Sequence, residues 1–337
     1  MTASTTIPDA PGPGEVRAIA PGVLWLRFAL PFLLNHVNIY LIEDDGGWAA
    51  FDTGLGTDDT RAAWEAAFAG PLRGQKLTRV ICSHFHPDHV GLVGWLTERF
   101  GCPLWMPRTE FLMVRVLENA VVAANPRFYS MRGLDTAAGG QVAGDGHGYL
   151  RLVTGLPLHY HRMVAGQIIR IGGRDFTVHT GGGHAPEQAM LHCADDGLFF
   201  SADQVLARIS PNISVQSMEP DANPLGEYLA SLKHLEAAIP DSVRVLPGHQ
   251  TPFEGLHARL RELGEHHATR CGLITEACRV EPRTAAQLLP VLFKRDMDPH
   301  QTGFAFGEVL AHVNYMRARG QLHQFEGSDG ILKTSTT

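Results

Sequence analysis

Alternating hydrophobic and polar residues predict that much of the chain forms β-strands. Each candidate strand combines this alternation with β-branched, aromatic or aliphatic side chains. The candidates are residues 23–28, 35–42, 48–51, 77–82, 167–171, 175–180, 188–193, 198–201 and 243–246. We take residues 23–28 as the first strand of the chain. Paired glycines between candidates, Gly46 with Gly47 and Gly172 with Gly173, predict hairpin turns.

Apolar residues with helical spacing separate these strands and then replace them. Side chains three and four positions apart share one face of a helix, and several segments have that period. The predicted helices are residues 60–69, 90–100, 223–239, 256–280, 284–293 and 304–319, and a hairpin follows at 320–333. The pattern therefore predicts an α/β protein whose C-terminal part is mainly helical.

The densest group of metal-binding side chains follows the strand predicted at residues 77–82. His84, His86, Asp88 and His89 fall within six positions. In an extended backbone, side chains two residues apart point the same way, so His84 and His86 can reach one cation while Asp88 and His89 turn toward a second. Chance clustering among 18 histidines does not account for this spacing. The segment therefore predicts a two-metal centre.

This segment resembles the metallo-β-lactamase fold superfamily, whose signature His-x-His-x-Asp-His stands unaltered at residues 84–89. The resemblance covers most of the chain and implies a four-layer αβ/βα sandwich, with two sheets inside and helices outside. Residues 203–214 are similar to a subgroup with a C-terminal winged-helix-like domain, the glyoxalase II and LACTB-like metallo-hydrolases. We therefore expect a disordered tail at 1–14, a catalytic domain at 15–254 and a winged-helix-like helical domain at 255–337.

The same resemblance implies which side chains bind two divalent metal ions. The implied ligands are His84, His86 and His184 for one ion, Asp88, His89 and His249 for the other, and Asp203 as a bridge between the two. Asp88 and Asp203 are also the expected catalytic residues. A set rich in imidazoles favours zinc, and its carboxylates also accept iron or manganese.

Asp52 ends the strand predicted at residues 48–51. The resemblance implies that it accepts a hydrogen bond behind the metal ligands and fixes their orientation. An ordinary Asx turn ahead of the next helix explains the same residue equally well.

The long segment between His89 and His184 predicts an insertion of about residues 104–167 that covers the site as a lid or substrate wall. Within it we expect a helix at 108–124 and a mobile, glycine-rich loop at 133–148. Seven arginines and no lysine oppose four acidic residues between positions 104 and 170. A basic, apolar cover suits a substrate with an anionic handle, although solvated arginines explain the charge as well.

Three residues are expected to line the substrate pocket. Tyr160 and Arg162 belong to the insertion, and Asn212 lies in the loop after Asp203. As polar loop residues, side chains such as Asn212 also form turns without contacting a ligand.

Composition and charge narrow the classes of function. The chain has 337 residues and a net charge of −7, which argues against a general nucleic-acid binder, and its C-terminal region is nearly neutral. Five cysteines without a C-x-x-C pair are typical of a reducing compartment. No apolar stretch approaches the roughly 18 residues of a membrane span, and residues 1–14 lack a signal-peptide pattern. We expect a cytoplasmic protein with no membrane partner, and the C-terminal region packs against the site or forms a homodimer.

These features predict a metal-dependent hydrolase of small molecules. A hydroxide bridging two metals would attack the carbonyl of an ester, thioester or lactone. A phosphodiesterase or ribonuclease of the same fold is the alternative, and a β-lactamase comes third.

Overall fold

The computed structural model describes residues 7–12, 14–118, 125–143 and 147–337. Residues 1–6 and 13 of the predicted tail lie outside the described ranges. So do residues 119–124 of the predicted helix and residues 144–146 of the predicted loop.

The first half of the chain builds a seven-stranded sheet whose strands follow one another in chain order. Its strands are β1 (Arg17–Ala20), β2 (Val23–Ala29), β3 (His36–Asp44), β4 (Gly47–Phe51), β5 (Leu77–Ile81), β6 (Leu104–Pro107) and β7 (His161–Met163). Strands β1 to β4 pair antiparallel, and β4 to β7 pair parallel. Because parallel neighbours run the same way, β4 and β5 end at the same edge of the sheet.

A five-stranded sheet follows, in the order β12, β11, β10, β9, β8. Its strands are β8 (Ile168–Ile171), β9 (Arg174–Gly181), β10 (Gln188–Cys193), β11 (Leu198–Ala202) and β12 (Arg244–Pro247). Strands β11 and β12 are parallel, so they also end at one edge. The C-terminal β13 (Leu322–Glu326) and β14 (Leu332–Thr336) form a separate hairpin.

Helices cover the outer faces of both sheets and make up most of the C-terminal region. They are α1 (Asp58–Ala69), α2 (Pro87–Val90), α3 (Val93–Phe100), α4 (Arg108–Leu117), α5 (Pro126–Ser130), α6 (Thr136–Ala143), α7 (Pro224–Ala238), α8 (Leu256–Val280), α9 (Ala285–Leu292) and α10 (Pro299–Ala318). Several of these helices begin at a residue whose side chain caps the first turn. At α1, the side chain of Thr57 accepts a hydrogen bond from the backbone N–H of Thr60.

The alternation of side chains along each strand explains why the sheets have a hydrophobic core on both faces. In β2, the side chains of Val23 and Trp25 enter the core between the two sheets, while Leu26 and Phe28 enter the core beneath the outer helices. Successive strand residues point to opposite faces, so a strand buried on both sides carries apolar residues throughout. The second sheet likewise packs on the first with one face and under helices with the other. The expected αβ/βα sandwich with a C-terminal helical domain is confirmed.

The N-terminal predictions need two corrections. A short strand, β1, precedes the segment predicted as the first strand. Residues 7–12 do not behave as a loose tail, because Ile7 and Ala10 pack against the core between the sheets. The guanidinium of Arg17 also donates a hydrogen bond to the Asp9 carbonyl, 2.6 Å away.

The insertion differs from the expected lid. It begins with β6 and ends with β7, and both are strands of the first sheet. Residues 136–143 form helix α6 where a mobile loop was predicted. Helix α5 packs into the C-terminal core, with Tyr129 against Phe306 at a ring-centroid distance of 5.6 Å. The described part of the insertion is therefore anchored at both ends and in its middle.

The C-terminal helices share one hydrophobic core with the second sheet. That core includes Phe199 of β11, Tyr228 of α7, Leu260 of α8 and Phe306 of α10, all buried. A shared core fixes where the first turns of α10 lie relative to the end of the sheet. No helix in the described ranges is long and apolar enough to cross a membrane.

We expect Phe306→Ala to lower the free energy of unfolding by about 3–5 kcal/mol, because it removes a fully buried ring from the shared core. Leu273→Ala is the control, since this side chain on α8 is exposed and its truncation changes stability by only about 0.5 kcal/mol. Denaturant unfolding measures both values. An equal decrease in the free energy of unfolding in the two variants would contradict a core shared by the second sheet and the C-terminal helices.

Candidate metal centre

Strand ends from both sheets bring the predicted ligands together. Strand β5 leads into the loop of residues 84–89, β9 leads to His184, β11 to Asp203 and β12 to His249. The carboxyl ends of these strands open on one edge of the sandwich, where side chains can converge without interrupting strand pairing. All seven predicted ligands lie in this cluster.

The first group contains three imidazoles. The Nε2 atom of His84 lies 2.9 Å from Nδ1 of His86, and this Nδ1 lies 3.0 Å from Nε2 of His184. Three ring nitrogens directed at one point are the donor arrangement of a metal site. The geometry agrees with the grouping that the family resemblance implies.

The second group contains Asp88, His89 and His249. One carboxylate oxygen of Asp88 lies 3.3 Å from Nε2 of His249 and 3.7 Å from Nε2 of His89. Asp203 lies between the two groups, with its Oδ2 atom 3.4 Å from Nε2 of His184 and 3.1 Å from Nε2 of His249. This position is the one expected of a bridging carboxylate.

Asp52 is buried behind the cluster and accepts three hydrogen bonds. They come from the backbone N–H of Ser83 at 2.7 Å, the hydroxyl of Ser83 at 2.8 Å and Nδ1 of His89 at 2.8 Å. The Ser83 hydroxyl also contacts Nδ1 of His84 at 2.8 Å. Asp52 thus orients imidazoles of both groups, directly or through Ser83, so it does more than close a turn.

Backbone carbonyls orient two further imidazoles. Nδ1 of His184 donates to the carbonyl of Asn212 at 2.8 Å, and Nδ1 of His249 donates to the carbonyl of His36 at 2.7 Å. Each bond leaves Nε2 free to face the cluster. Asn38 supports the second arrangement, because its side-chain amide donates to the Pro247 carbonyl at 2.9 Å. Sequence reasoning missed His36 and Asn38, whose partners lie more than two hundred residues away.

Unusual backbone conformations border the site. Within the described ranges, Asp52, Ala202 and Gln250 are the non-glycine residues with positive φ. Such conformations cost energy and persist where surrounding contacts enforce them. At Gly248, a Cβ atom would lie 2.3 Å from Oδ1 of Asp203. The loop after β12 therefore requires glycine for its close approach to that carboxylate.

The carboxylates and imidazoles of the cluster shift one another's pKa values. Burial by itself would disfavour both charged forms of a His–Asp pair. The carboxylates of Asp203 and Asp88 nevertheless raise the pKa of His249 to about 10, and with Asp52 they raise the pKa of His89 well above its ordinary value. Conversely, burial and the neighbouring His184 lower the pKa of His86 to about 3.

Two buried atoms of the cluster, Nε2 of His89 and Oδ1 of Asp203, lie 3.4 Å apart, and neither has a hydrogen-bond partner in the described structure. Unpartnered buried polar atoms are costly unless something else satisfies them. A donor set of five imidazoles and two carboxylates, with these two atoms directed inward, fits two divalent cations.

Glu110 is a residue of the site that sequence reasoning missed. It is fully buried on α4, and its carboxylate accepts hydrogen bonds from the backbone N–H of Phe85 at 3.0 Å and of Glu187 at 2.5 Å. Phe85 lies between His84 and His86, and Glu187 follows His184 by three residues. Glu110 therefore ties together the two loops of the first histidine group. Burial raises its pKa to about 8.

A cavity of about 370 Å³ opens over the cluster. Most of its wall is apolar and comes from five separate segments: Leu30 with Leu34, Leu55, Leu152, Leu206 with Ile209, and Phe304. Asn212 lines it, and His300 and Phe304 enter from the C-terminal region. No lysine or arginine is among its lining residues in the described ranges.

The predicted pocket residues Tyr160 and Arg162 do not line this cavity. The ring of Tyr160 stacks on Phe111 at a centroid distance of 4.0 Å, so it packs against helix α4 instead. Arg162 is exposed on the edge strand β7. Arg115 of the insertion pairs with Glu118 at 3.0 Å instead of lining the cavity. The basic cover expected from the sequence is therefore absent from the described cavity wall.

A further group of potential ligands, His266, His267 and Glu308, lies in the C-terminal region. The guanidinium of Arg270 contacts the Glu308 carboxylate at 2.9 Å. This positive charge already neutralises the only anionic ligand and would repel a cation. The candidate metal centre is therefore the cluster at the sheet edge.

We expect binding of Zn²⁺ to the metal-free protein at pH 7 to release about two protons, because His89 and His249 must lose theirs before they bind a metal. Zinc affinity should therefore rise with pH until both imidazoles are neutral without metal. Calorimetric titrations in buffers of different ionisation enthalpy count the released protons, with His323→Gln as a control. Zinc binding without proton release would contradict the protonation of His89 and His249 in the metal-free protein.

Glu110→Ala should weaken zinc binding and lower the free energy of unfolding by about 1–3 kcal/mol for each buried N–H left without a partner. The matched control is Glu118→Ala, just after the same helix, which removes only a partly exposed ion pair. Zinc titration and denaturant unfolding measure the two effects. If both variants bind zinc equally well, Glu110 does not position the histidine loops.

The sequence matches two family profiles. The profile described as the Metallo-beta-lactamase superfamily covers residues 34–263. The profile described as the Metallo-beta-lactamase-like, C-terminal domain covers residues 271–337.

Proteins of similar sequence and structure extend over nearly the whole chain. The probable metallo-hydrolase YqjP of Bacillus subtilis (strain 168) is 22% identical over 332 residues, which cover 93% of this chain and 98% of that protein. A beta-lactamase domain protein from Burkholderia ambifaria has a TM-score of 0.91 and 38% identity, covering 100% of this chain and 97% of the other. The metallo-beta-lactamase family protein TTHA1429 from Thermus thermophilus has a TM-score of 0.80 and 26% identity, covering 95% of this chain and 100% of the other. The chain therefore belongs to the metallo-beta-lactamase superfamily.

Proposed function

We propose that this protein is a binuclear metal-dependent hydrolase that cleaves an ester, thioester or lactone with an apolar acyl group. The observation that carries the proposal is the apolar cavity above the seven converging ligands. An apolar wall around a few polar groups is typical of a small-molecule site.

His84, His86 and His184 would hold one cation and Asp88, His89 and His249 the other, with Asp203 between them. The donor set favours zinc and is also compatible with iron or manganese. When bound, divalent cations supply Lewis acidity, which acidifies water and polarises a carbonyl oxygen.

The protein's own side chains and backbone would orient the metal ligands and shield the reacting carbonyl from water. Asp52 and the carbonyls of His36 and Asn212 hold the imidazoles in one tautomer and direction. Asp88 is partly exposed to the cavity and is placed to accept a hydrogen bond from an attacking water. The leucine-rich wall limits the access of other water molecules to the carbonyl.

The wall chemistry favours carbonyl substrates over phosphodiesters. A phosphodiester brings a negative charge, and nucleic-acid sites place arginine or lysine against it. The cavity wall in the described ranges has no such cation. The phosphodiesterase, ribonuclease and β-lactamase alternatives therefore remain outcomes of the test below.

We further propose residues 15–254 as the catalytic unit and residues 255–337 as a unit that completes its cavity. His300 and Phe304 support this division of roles, because both line the cavity from helix α10.

Metal content and turnover of a substrate panel test the proposal. The panel contains an aryl ester, an acyl thioester, a lactone, a β-lactam and bis-nitrophenyl phosphate. We expect about two metal ions per chain and turnover of the carbonyl substrates, lost on chelation and restored by zinc.

Asp203→Ala should abolish turnover by removing the carboxylate between the two histidine groups, while the exposed His159→Gln serves as a control. Preferred turnover of the phosphodiester or the β-lactam would reject the proposed substrate class. One metal ion per chain or none would reject the binuclear mechanism.

A further inference from the structure

A second cavity of about 470 Å³ adjoins the cavity over the metal centre. We call the cavity over the cluster the inner cavity and this second one the outer cavity. Residues that line both cavities form the partition between them: Phe32, Leu34, Asn212, His300 and Phe304.

Aromatic rings from two distant parts of the chain meet in the partition. Phe32 belongs to the connection between β2 and β3, while His300 and Phe304 lie in the first two turns of α10. The ring of His300 stacks on Phe32 at a centroid distance of 5.7 Å and an interplanar angle of 14°. It also meets Phe304 edge-on at 4.8 Å. His300 is therefore the central element of the partition.

Hydrogen bonds tie this partition to the metal centre. The side-chain amide of Asn212 donates to the carbonyl of Phe304 at 3.3 Å, and the carbonyl of Asn212 accepts from His184 at 2.8 Å. On the other side, the backbone N–H of Leu30 donates to the carbonyl of Asn35 at 2.9 Å and closes the loop that carries Phe32. The distance from the ligands to the partition is thus fixed by the fold.

The two cavities differ in chemistry. The inner one is bounded by leucines and by the metal-site residues. The outer one includes Arg295, Asp298 and Glu308 beside the apolar Phe293 and Met297. An apolar chain fills the inner cavity favourably, but it meets the partition before it reaches the outer one.

We propose that Phe32, His300 and Phe304 determine specificity by setting the length of the acyl group that the inner cavity accepts. The inference rests on the proposed hydrolysis of acyl substrates. A short acyl group ends at the partition, and a longer one must displace these rings from their mutual contacts. Removing the central ring joins the two cavities, and a longer chain then reaches Phe293 and Met297.

The experiment compares nitrophenyl acetate, butyrate, octanoate and dodecanoate with zinc-loaded protein. We expect the wild type to prefer a short ester. His300→Ala should raise the ratio of kcat/KM for dodecanoate over butyrate by about tenfold or more, because even one additional methylene accommodated in an apolar site is worth about tenfold. Phe304→Ala should change the ratio in the same direction.

Two further variants sharpen the comparison. His323 is another exposed histidine that stacks on a phenylalanine, Phe325 at 5.9 Å, but it lines neither cavity. His323→Ala should keep the wild-type ratio. Gln301 lines only the outer cavity, so Gln301→Trp added to His300→Ala should fill the joined space and restore the preference for butyrate.

Binding without turnover provides an independent readout. Calorimetry with the uncharged methyl esters of butyrate and dodecanoate on the metal-free proteins should show tighter binding of the dodecanoate ester in His300→Ala than in the wild type. An unchanged chain-length ratio and unchanged dodecanoate binding in His300→Ala and Phe304→Ala would overturn the inference, even if the wild type hydrolyses esters. If no ester is hydrolysed, the proposed function fails, and the binding data alone decide whether the partition limits chain length.

Discussion

One buried and one partly buried carboxylate among five imidazoles impose the main physical constraint on this structure. Burying an unpaired carboxylate costs several kcal/mol, so Asp88 and Asp203 need positive charge beside them. In the metal-free protein His89 and His249 supply it by holding protons, and divalent cations would take over that role. The strand ends, the absence of a side chain at Gly248 and the hydrogen bonds of Asp52 all allow these groups to lie at short distances.

The sandwich architecture explains how such a cluster stays in place. Each sheet delivers ligands from strands that end at a common edge, and groups from outside the ligand loops lock their positions. Glu110 joins the loops of His84 and His184, while Asn38 of the first sheet holds the loop that carries His249. These hydrogen bonds use buried backbone N–H and C=O groups. Their loss leaves polar atoms unsatisfied and therefore lowers the stability of the folded protein.

The C-terminal region changes the site from an open sheet edge into an enclosed one. Its helices share a core with the second sheet, so α10 reaches the cavity with a fixed position. That arrangement adds His300 and Phe304 to the leucine-rich cavity wall and separates two cavities of different chemistry. The same ligand set on the same fold can thus serve substrates that differ in size and charge, according to what surrounds it.

The sequence by itself determined most of the strands and helices and the four candidate ligands at residues 84–89, because strand alternation, helical spacing and the His-x-His-x-Asp-His pattern are local. The family resemblance implied the fold class and the other three ligands. The sequence did not determine the cavity wall. Tyr160 and Arg162 were expected there, but packing on Phe111 and an edge-strand position keep them out, whereas Phe32 and His300 meet across more than 260 residues. Contacts such as these, and those of Glu110, depend on how sheets and helices pack in three dimensions, and only the tertiary structure decided them.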